Sequence, residues 1–349
     1  MCIWNSNIEF VEYKDVLLRD VEEILDSTII VPHELKQDII KMIEYNCVGG
    51  KMIRGLFAVY SAYAMCNEWN EEMKKRAFVA GWGAEMLQGA FLIADDIMDE
   101  AEMRRGKPAW YRIDRIGMMS VNDTFILQSL IYKLLERVIS SVSLFYSVQK
   151  VFEDIKFVTE LGQMLDLNTI NHKTHSINYQ YFTKDYYEQI ITNKTAYYTI
   201  FLPVYLGLVL TESPKETMHS PQLRELCILL GRYFQIRDDF LDAFADPSVL
   251  GKEGTDIQEG KCSWVILTVF SLCSEEDREA LKELYGKSDP RPVKAIYAKY
   301  DVESEFRRFE DEALRKTREI LASASFPDAR LKPFFDALIE KLFGMKAKS

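Results

Sequence analysis

The chain has 349 residues, 48% of them hydrophobic and 28% charged, with a formal net charge of −11. This length and balance are enough for a large buried core and exclude a disordered or low-complexity chain. The acidic balance argues against a nucleic-acid binder, so an anionic substrate has to be met by locally placed cations.

Cys2, Cys47, Cys66, Cys227, Cys262 and Cys273 are scattered without C-x-x-C spacing, which predicts neither a zinc site nor a disulfide framework. The stretch Met1 to Glu9 lacks the basic and apolar regions of a secretory signal and the Arg-rich pattern of a transit peptide. The longest apolar run, Tyr197 to Leu210, contains Pro203 and is shorter than the roughly 20 residues that span a bilayer. No membrane span and a cytoplasmic location are therefore expected.

Apolar residues at three- and four-residue spacings predict amphipathic helices over 8–28 and 33–46, punctuated by Pro32. Cys47-Val48-Gly49-Gly50-Lys51 breaks the pattern, and helix resumes over 52–65. A long helix over 71–99 follows. Its middle, with Ala80, Gly81, Gly83, Ala84, Gly89 and Ala90, has small residues that let other helices or a ligand come close. The segment Arg104-Arg105-Gly106-Lys107-Pro108 reads as a basic loop. Helical patterns return over 122–142, 144–168 and 183–210, the last interrupted at Pro203, which cannot donate to the i−4 carbonyl. Further helices are expected over 222–243, 261–283 and 291–344. No alternating strand run is evident, and the chain reads as one all-α domain over 1–349, a bundle of ten or more helices.

Two acidic clusters interrupt this pattern. Asp95-Asp96-Ile97-Met98-Asp99 ends the helix over 71–99, and Asp238-Asp239-Phe240-Leu241-Asp242 repeats its Asp-Asp-x-x-Asp spacing after another apolar helix. On a helix the first and last carboxylates of each cluster lie one turn apart on one face, where they repel unless a cation sits between them. One such cluster reads most simply as a solvated helix end. Two of them facing each other across a bundle suit Mg²⁺, each ion taking one or two carboxylates plus phosphate oxygens. Lys51 and Arg54, Arg104 and Arg105, and Lys252 with Lys261 provide cations for the same diphosphate. The pair His172 and His175 lacks a third ligand and reads as a solvated loop.

These motifs resemble the trans-isoprenyl diphosphate synthases, and most of all the insect-type farnesyl diphosphate synthases. The resemblance rests on Tyr45 to Lys51, Ala94 to Asp99 with Arg104-Arg105-Gly106, Gly162 to Leu167, Lys194 to Tyr198, and Phe234 to Asp242 with Gly251-Lys252 and Gly254 to Gln258. It implies the isoprenoid synthase fold around a central cavity, a homodimer, and three Mg²⁺ ions. Asp95, Asp99 and Asp238 match direct metal ligands, with Asp96, Asp239 and Asp242 completing the motifs. Arg104, Lys194 and Lys252 match residues that hold the allylic diphosphate, with Asp256 and Lys261 nearby. Lys51, Arg54, Gln88 and Arg105 match the isopentenyl diphosphate pocket, and Thr195 and Gln235 match groups whose oxygens face the allylic carbon. Ala90 and Phe91, one turn before Asp95, match the wall that limits chain length.

The resemblance thus implies a prenyltransferase that ionises an allylic diphosphate and condenses it with isopentenyl diphosphate. The alternative is a terpene synthase derived from such an enzyme, favoured by Ile53 in place of the family's Asn, by Ala90, and by a C-terminus without a clustered basic tail. Arg237 replaces a usual Gln and is expected to add a cation beside the second acidic motif. A non-catalytic partner subunit would need neither intact acidic motifs nor the lysines.

Overall fold

The computed structural model describes residues 6–28, 32–171, 174–245, 254–323 and 326–344. Helices dominate: α1 (Ser6–Glu12), α2 (Lys14–Thr28), α3 (His33–Cys47), α4 (Ile53–Met65), α5 (Glu71–Met98), α6 (Ser120–Val138), α7 (Val142–Leu167), α8 (Lys184–Ile190), α9 (Leu202–Leu210), α10 (Lys215–Met218) and α11 (Pro221–Phe244). They continue with α12 (Asp256–Glu259), α13 (Trp264–Leu272), α14 (Glu275–Leu284), α15 (Arg291–Tyr297), α16 (Val302–Ala322) and α17 (Leu331–Gly344). The only strands among the described residues form two short hairpins, Met103–Arg104 with Lys107–Pro108 and Ile170–Asn171 with Ser176–Ile177. Pairs this short are below what period-two alternation can signal.

The described chain groups into two compact units, Met1–Lys156 with Leu202–Met218, and Phe157–Phe201 with His219–Ser349. In the first, α5 is the central helix. It starts at Asn70, whose side chain accepts the Met73 N–H at 2.9 Å, with Glu71 and Glu72 complementing the dipole of the first turn. Its small residues admit neighbouring helices: a Cβ on Gly81 would lie 2.7 Å from the Gly55 carbonyl oxygen of α4, and one on Gly83 would lie 3.1 Å from Ile131 and Phe152. Trp82 is fully buried, stacks on Phe10 at 5.4 Å and donates to the Phe10 carbonyl at 3.0 Å. Although α5 is long and apolar enough to cross a membrane by composition, 78% of its apolar window is buried inside the protein.

In the second unit the core joins α8, α11, α13, α14, α15 and α16 through residues such as Tyr187, Ile236, Ile266, Leu281, Tyr297 and Phe306. Two expectations need adjustment. The first predicted helix is broken at Tyr13 into α1 and α2. The interruption expected at Pro203 lies just before it, as a π-helix over Ile191–Phe201 that hands over to α9 at Leu202. Pro203 has no N–H to give the Thr199 carbonyl, and a wide turn ahead of it accommodates the loss.

Candidate active site

The first acidic motif closes α5. Glu100 takes a left-handed conformation (φ 55°), the Ala101 N–H reaches back to the Asp96 carbonyl at 2.9 Å, and the Asp99 N–H to that of Asp95 at 2.8 Å. This is the hydrogen-bond pattern of a helix C-terminus capped by a left-handed residue. Arg112 donates to the Glu100 carbonyl at 2.9 Å and fixes the turn from outside. The hairpin that follows then folds Arg104 back over the carboxylates. Its turn residues Arg105 (φ 54°) and Gly106 (φ 73°) both lie in the left-handed region, as a two-residue hairpin requires.

Arg104 Nε donates to Asp96 at 2.7 Å, and a second guanidinium nitrogen lies 3.3 Å from Asp95. Asp96 is buried and Asp95 partly exposed, so Arg104 neutralises the inner carboxylate and leaves the outer ones more accessible.

Arg105, the next residue, faces another group. Its guanidinium packs against Gly50, where a Cβ would come within 2.9 Å. Glu85 lies under this pair of arginines: fully buried on α5, it accepts the Gly55 N–H at 2.8 Å and interacts with Arg54 and Arg105. Burial pushes its carboxyl above the usual range, while Arg54, the Gly55 N–H and Arg105 pull it down. Burial lowers the Arg105 pKa, and Glu85 and Cys47 oppose that shift. Arg54 and Arg105 are therefore gathered around one carboxylate, with Lys51 exposed on the preceding loop and Gln88 half-buried one turn after Glu85 on α5. Ile53, buried beside Arg54, opens α4.

The second unit carries two further polar clusters. Asp166, buried near the end of α7, receives Lys194 at 2.6 Å and Lys261 at 3.3 Å on the same oxygen. Lys194 sits on the π-helix, and α7 comes so close there that a Cβ on Gly162 would lie 2.1 Å from the Lys194 nitrogen. On the other side, a Cβ on Gly231 of α11 would lie 2.5 Å from the Ala196 Cα. The wide π turn is thus held between two glycines.

The second acidic motif lies on α11. Asp239 is buried and accepts from Tyr187 Oη at 2.5 Å, Gln235 Nε2 at 2.8 Å and the Trp264 N–H at 2.8 Å; Gln235 in turn accepts the Thr195 hydroxyl at 2.7 Å. Burial raises the Asp239 carboxyl to about 7 against the pull of these three donors. Asp242 accepts the Thr255 and Asp256 N–H groups at 3.2 and 3.0 Å, and desolvation together with Asp242 and Asp239 holds Asp256 well above the carboxylate range. Of this motif Asp238 alone is exposed.

Arg237 does not add a cation to the motif. Its guanidinium donates to the Leu342 carbonyl and to Tyr233, so it caps the last turn of α17, where Phe343 stacks on Tyr233 at 3.9 Å. Lys252 and the C-terminal residues 345–349 lie outside the described residues, as do His172 and Lys173. Ala90 is buried and Phe91 half-buried, one turn before Asp95.

The donors present fit a hard divalent cation. Every candidate ligand is a carboxylate oxygen, and among the described residues no three acidic, His or Cys side chains converge into a ready-made cage. Mg²⁺ needs no such cage, since it is commonly held by one or two carboxylates and completed by substrate phosphate. Asp95 and Asp99 of the first motif and, separately, Asp238 of the second are not buried and could each offer a carboxylate oxygen to such an ion.

Glu85, Asp166 and Tyr187 were not singled out from the sequence. Glu85 does have a signal there, being the one charge in the apolar stretch from Ala77 to Ala94, a position where a buried carboxylate needs a cationic partner. Asp166 lay within a recognised motif but with no role, and nothing near Tyr187 marks it.

Three of the clusters pair buried or half-buried carboxylates with cations on a helical scaffold, Asp96 with Arg104, Glu85 with Arg54 and Arg105, and Asp166 with Lys194 and Lys261. The polyprenyl synthetase family matches residues 36–300, and the chain belongs to that family. It is 37% identical to a farnesyl pyrophosphate synthase of Penicillium aethiopicum over 86% of each chain, and 35% identical to one of Rattus norvegicus over 82% of each. Its fold is similar to that of a T. brucei farnesyl diphosphate synthase solved with a bisphosphonate, with TM-score 0.90 and 27% identity over 97% of this chain and 99% of that one.

Proposed function

We propose that the chain is a farnesyl diphosphate synthase-like prenyltransferase, which joins isopentenyl diphosphate to dimethylallyl or geranyl diphosphate in a 1'-4 condensation. What supports this reading is the Glu85-anchored pair Arg54 and Arg105 beside Gly50, a second cationic group distinct from the acidic motif that Arg104 covers. An enzyme that only ionised one diphosphate would not need it.

In this reading Arg54, Arg105, Lys51 and Gln88 hold isopentenyl diphosphate, while Arg104, Lys194 and Lys252, with Lys261, hold the allylic diphosphate. Mg²⁺, three ions held through Asp95, Asp99 and Asp238, would neutralise the charge that develops on the leaving group. The allylic carbon–oxygen bond breaks with its electron pair going to the diphosphate, and the double bond of isopentenyl diphosphate supplies the electrons of the new carbon–carbon bond. The proton lost from the product goes to the released diphosphate. Asp166 keeps the two ammonium groups of Lys194 and Lys261 side by side despite their repulsion, so both are in place before substrate arrives. Thr195 and Gln235 present oxygens to the cationic carbon, and Ala90 with Phe91 sets the depth available to the growing chain.

The enzyme works as a cytoplasmic homodimer in this reading. Phe157, Leu161 and Met164 form an exposed apolar stripe along the second unit's part of α7, Phe157 and Met164 being 60% exposed, which a second copy would cover. One domain comprising residues 1–349 carries the activity.

Purified protein with Mg²⁺ and each allylic diphosphate, with and without isopentenyl diphosphate, tests this directly by chromatography of the dephosphorylated products. Elongated alcohols only when isopentenyl diphosphate is present are expected. A terpene hydrocarbon from geranyl or farnesyl diphosphate alone, with no elongation, would overturn it in favour of a terpene synthase.

A further inference from the structure

Within the second unit, Tyr187 on α8 lies at one end of a hydrogen-bond network whose donations converge on Asp239 from both sides. Its hydroxyl gives to Asp239 at 2.5 Å, and the Trp264 N–H, which can only donate, gives to the same oxygen at 2.8 Å. The other oxygen of Asp239 takes Gln235 Nε2 at 2.8 Å, which leaves the Gln235 carbonyl oxygen turned toward Thr195, whose hydroxyl donates to it at 2.7 Å. Tyr187, Thr195 and Asp239 are each at most 6% exposed and Gln235 is half-buried, so the bond from Tyr187 to Asp239 is the one best shielded from water.

The order of donation fixes which atoms stay unused. With its proton committed to Gln235, the Thr195 hydroxyl has only lone pairs left to present, and the Gln235 amide cannot flip without placing two acceptors against each other. The Tyr187 ring is also wedged in the core on α8, two turns ahead of Thr195 in the chain, and carries none of the positive charge of this site. We infer that Tyr187 is a positioning residue for the reaction: acting through Asp239 and Gln235, it holds the Thr195 oxygen with its lone pairs free for the cationic carbon of the allylic substrate. This rests on the roles given to Thr195 and Gln235 under the proposed function. Tyr187 itself touches no substrate.

The test uses the full chain and follows two readouts, diphosphate released from geranyl diphosphate and condensed product formed with isopentenyl diphosphate. Tyr187→Phe keeps the ring and removes the donor. It is expected to lower kcat for diphosphate release about tenfold, the loss of one buried charge-assisted hydrogen bond, with KM for either diphosphate within about twofold of the parent. Thr195→Val is expected to cost at least as much, and the double variant no more than Thr195→Val alone, because both break one relay. A Tyr187→Phe turnover within twofold of the parent, or losses that multiply in the double variant, overturns the inference. Should Tyr187→Phe fail to fold, a ring-fluorinated tyrosine at 187, a stronger donor of nearly the same shape, takes its place: a more than twofold change in diphosphate release supports the relay and an unchanged rate sinks it. Failure of the condensation reading shows separately, as diphosphate release without elongated product in the parent chain.

Discussion

Glu85 shows how a single buried side chain sets both chemistry and stability. Its carboxyl is raised in the folded state by burial, so folding takes up a proton above the ordinary carboxyl value near 4.5. A group of this kind stabilises least once it is ionised, and stability falls as pH rises from 4.5 through its folded-state value. Glu85→Gln, which cannot ionise, should flatten that part of the Tm-against-pH curve; parallel curves for variant and parent would contradict it. The same variant loosens Arg54 and Arg105 and should raise KM for isopentenyl diphosphate about tenfold with little change for the allylic substrate, since a charge-assisted bond is worth roughly 1.5–3 kcal/mol. At Asp166 the balance is different, because two ammonium groups depend on one carboxylate. Asp166→Asn is predicted to cost about 3 kcal/mol in urea denaturation, the scale for removing one partner of a buried ion pair. The acidic motifs and most of their cations were legible in the sequence because charge at helical spacing is a local pattern. Tyr187 was not, since what makes it matter is Asp239, far along the chain and brought to it only by the fold.

Elements carry their own lessons. The long helix α5 could be read from its apolar spacing and its acidic end, and whether its glycines admit helices or a ligand was decided by packing against Gly55, Ile131 and Phe152. The π-helix over Ile191–Phe201 was not foreseeable, because π turns are rare and what holds this one is contact with residues distant in sequence. What holds it is the close approach of Gly162 and Gly231. Gly162→Ala forces a methyl group to within 2.1 Å of the Lys194 nitrogen, and should cost about 1–3 kcal/mol and depress kcat together with stability. An Ala variant with parent-like Tm would show that α7 can shift without penalty. Arg237 illustrates the opposite error, a charge assigned by its neighbours in sequence and not by its direction. Arg237→Gln should leave the metal requirement unchanged but raise amide exchange in 331–344 about tenfold, the effect of one lost cap of roughly 1.4 kcal/mol. Unchanged exchange there would show that Phe343 on Tyr233 suffices to hold the end of α17.

For the whole molecule, the all-α class followed from composition and periodicity, and the family from motifs in the right order; assembly did not follow from either. If the stripe on α7 is covered by a second copy, Phe157→Glu should convert the protein to monomer in light scattering and expose it to aggregation, whereas a dimer unchanged in mass would place the interface elsewhere. Neither compact unit is continuous in sequence: the first takes residues up to Lys156 and then Leu202–Met218, with the second supplying the stretch between and the remainder. Ser61 of α4 donates to the Val204 carbonyl at 2.7 Å, and the two are separated by 143 positions. During synthesis α4 must therefore wait for a partner that emerges roughly 7 to 30 s later at ~5–20 residues per second. Until then the side of α4 that Gly207 approaches, with Ser61 and Ala62, has no α9 to cover it, and a nascent chain halted before Leu202 is expected to need chaperones.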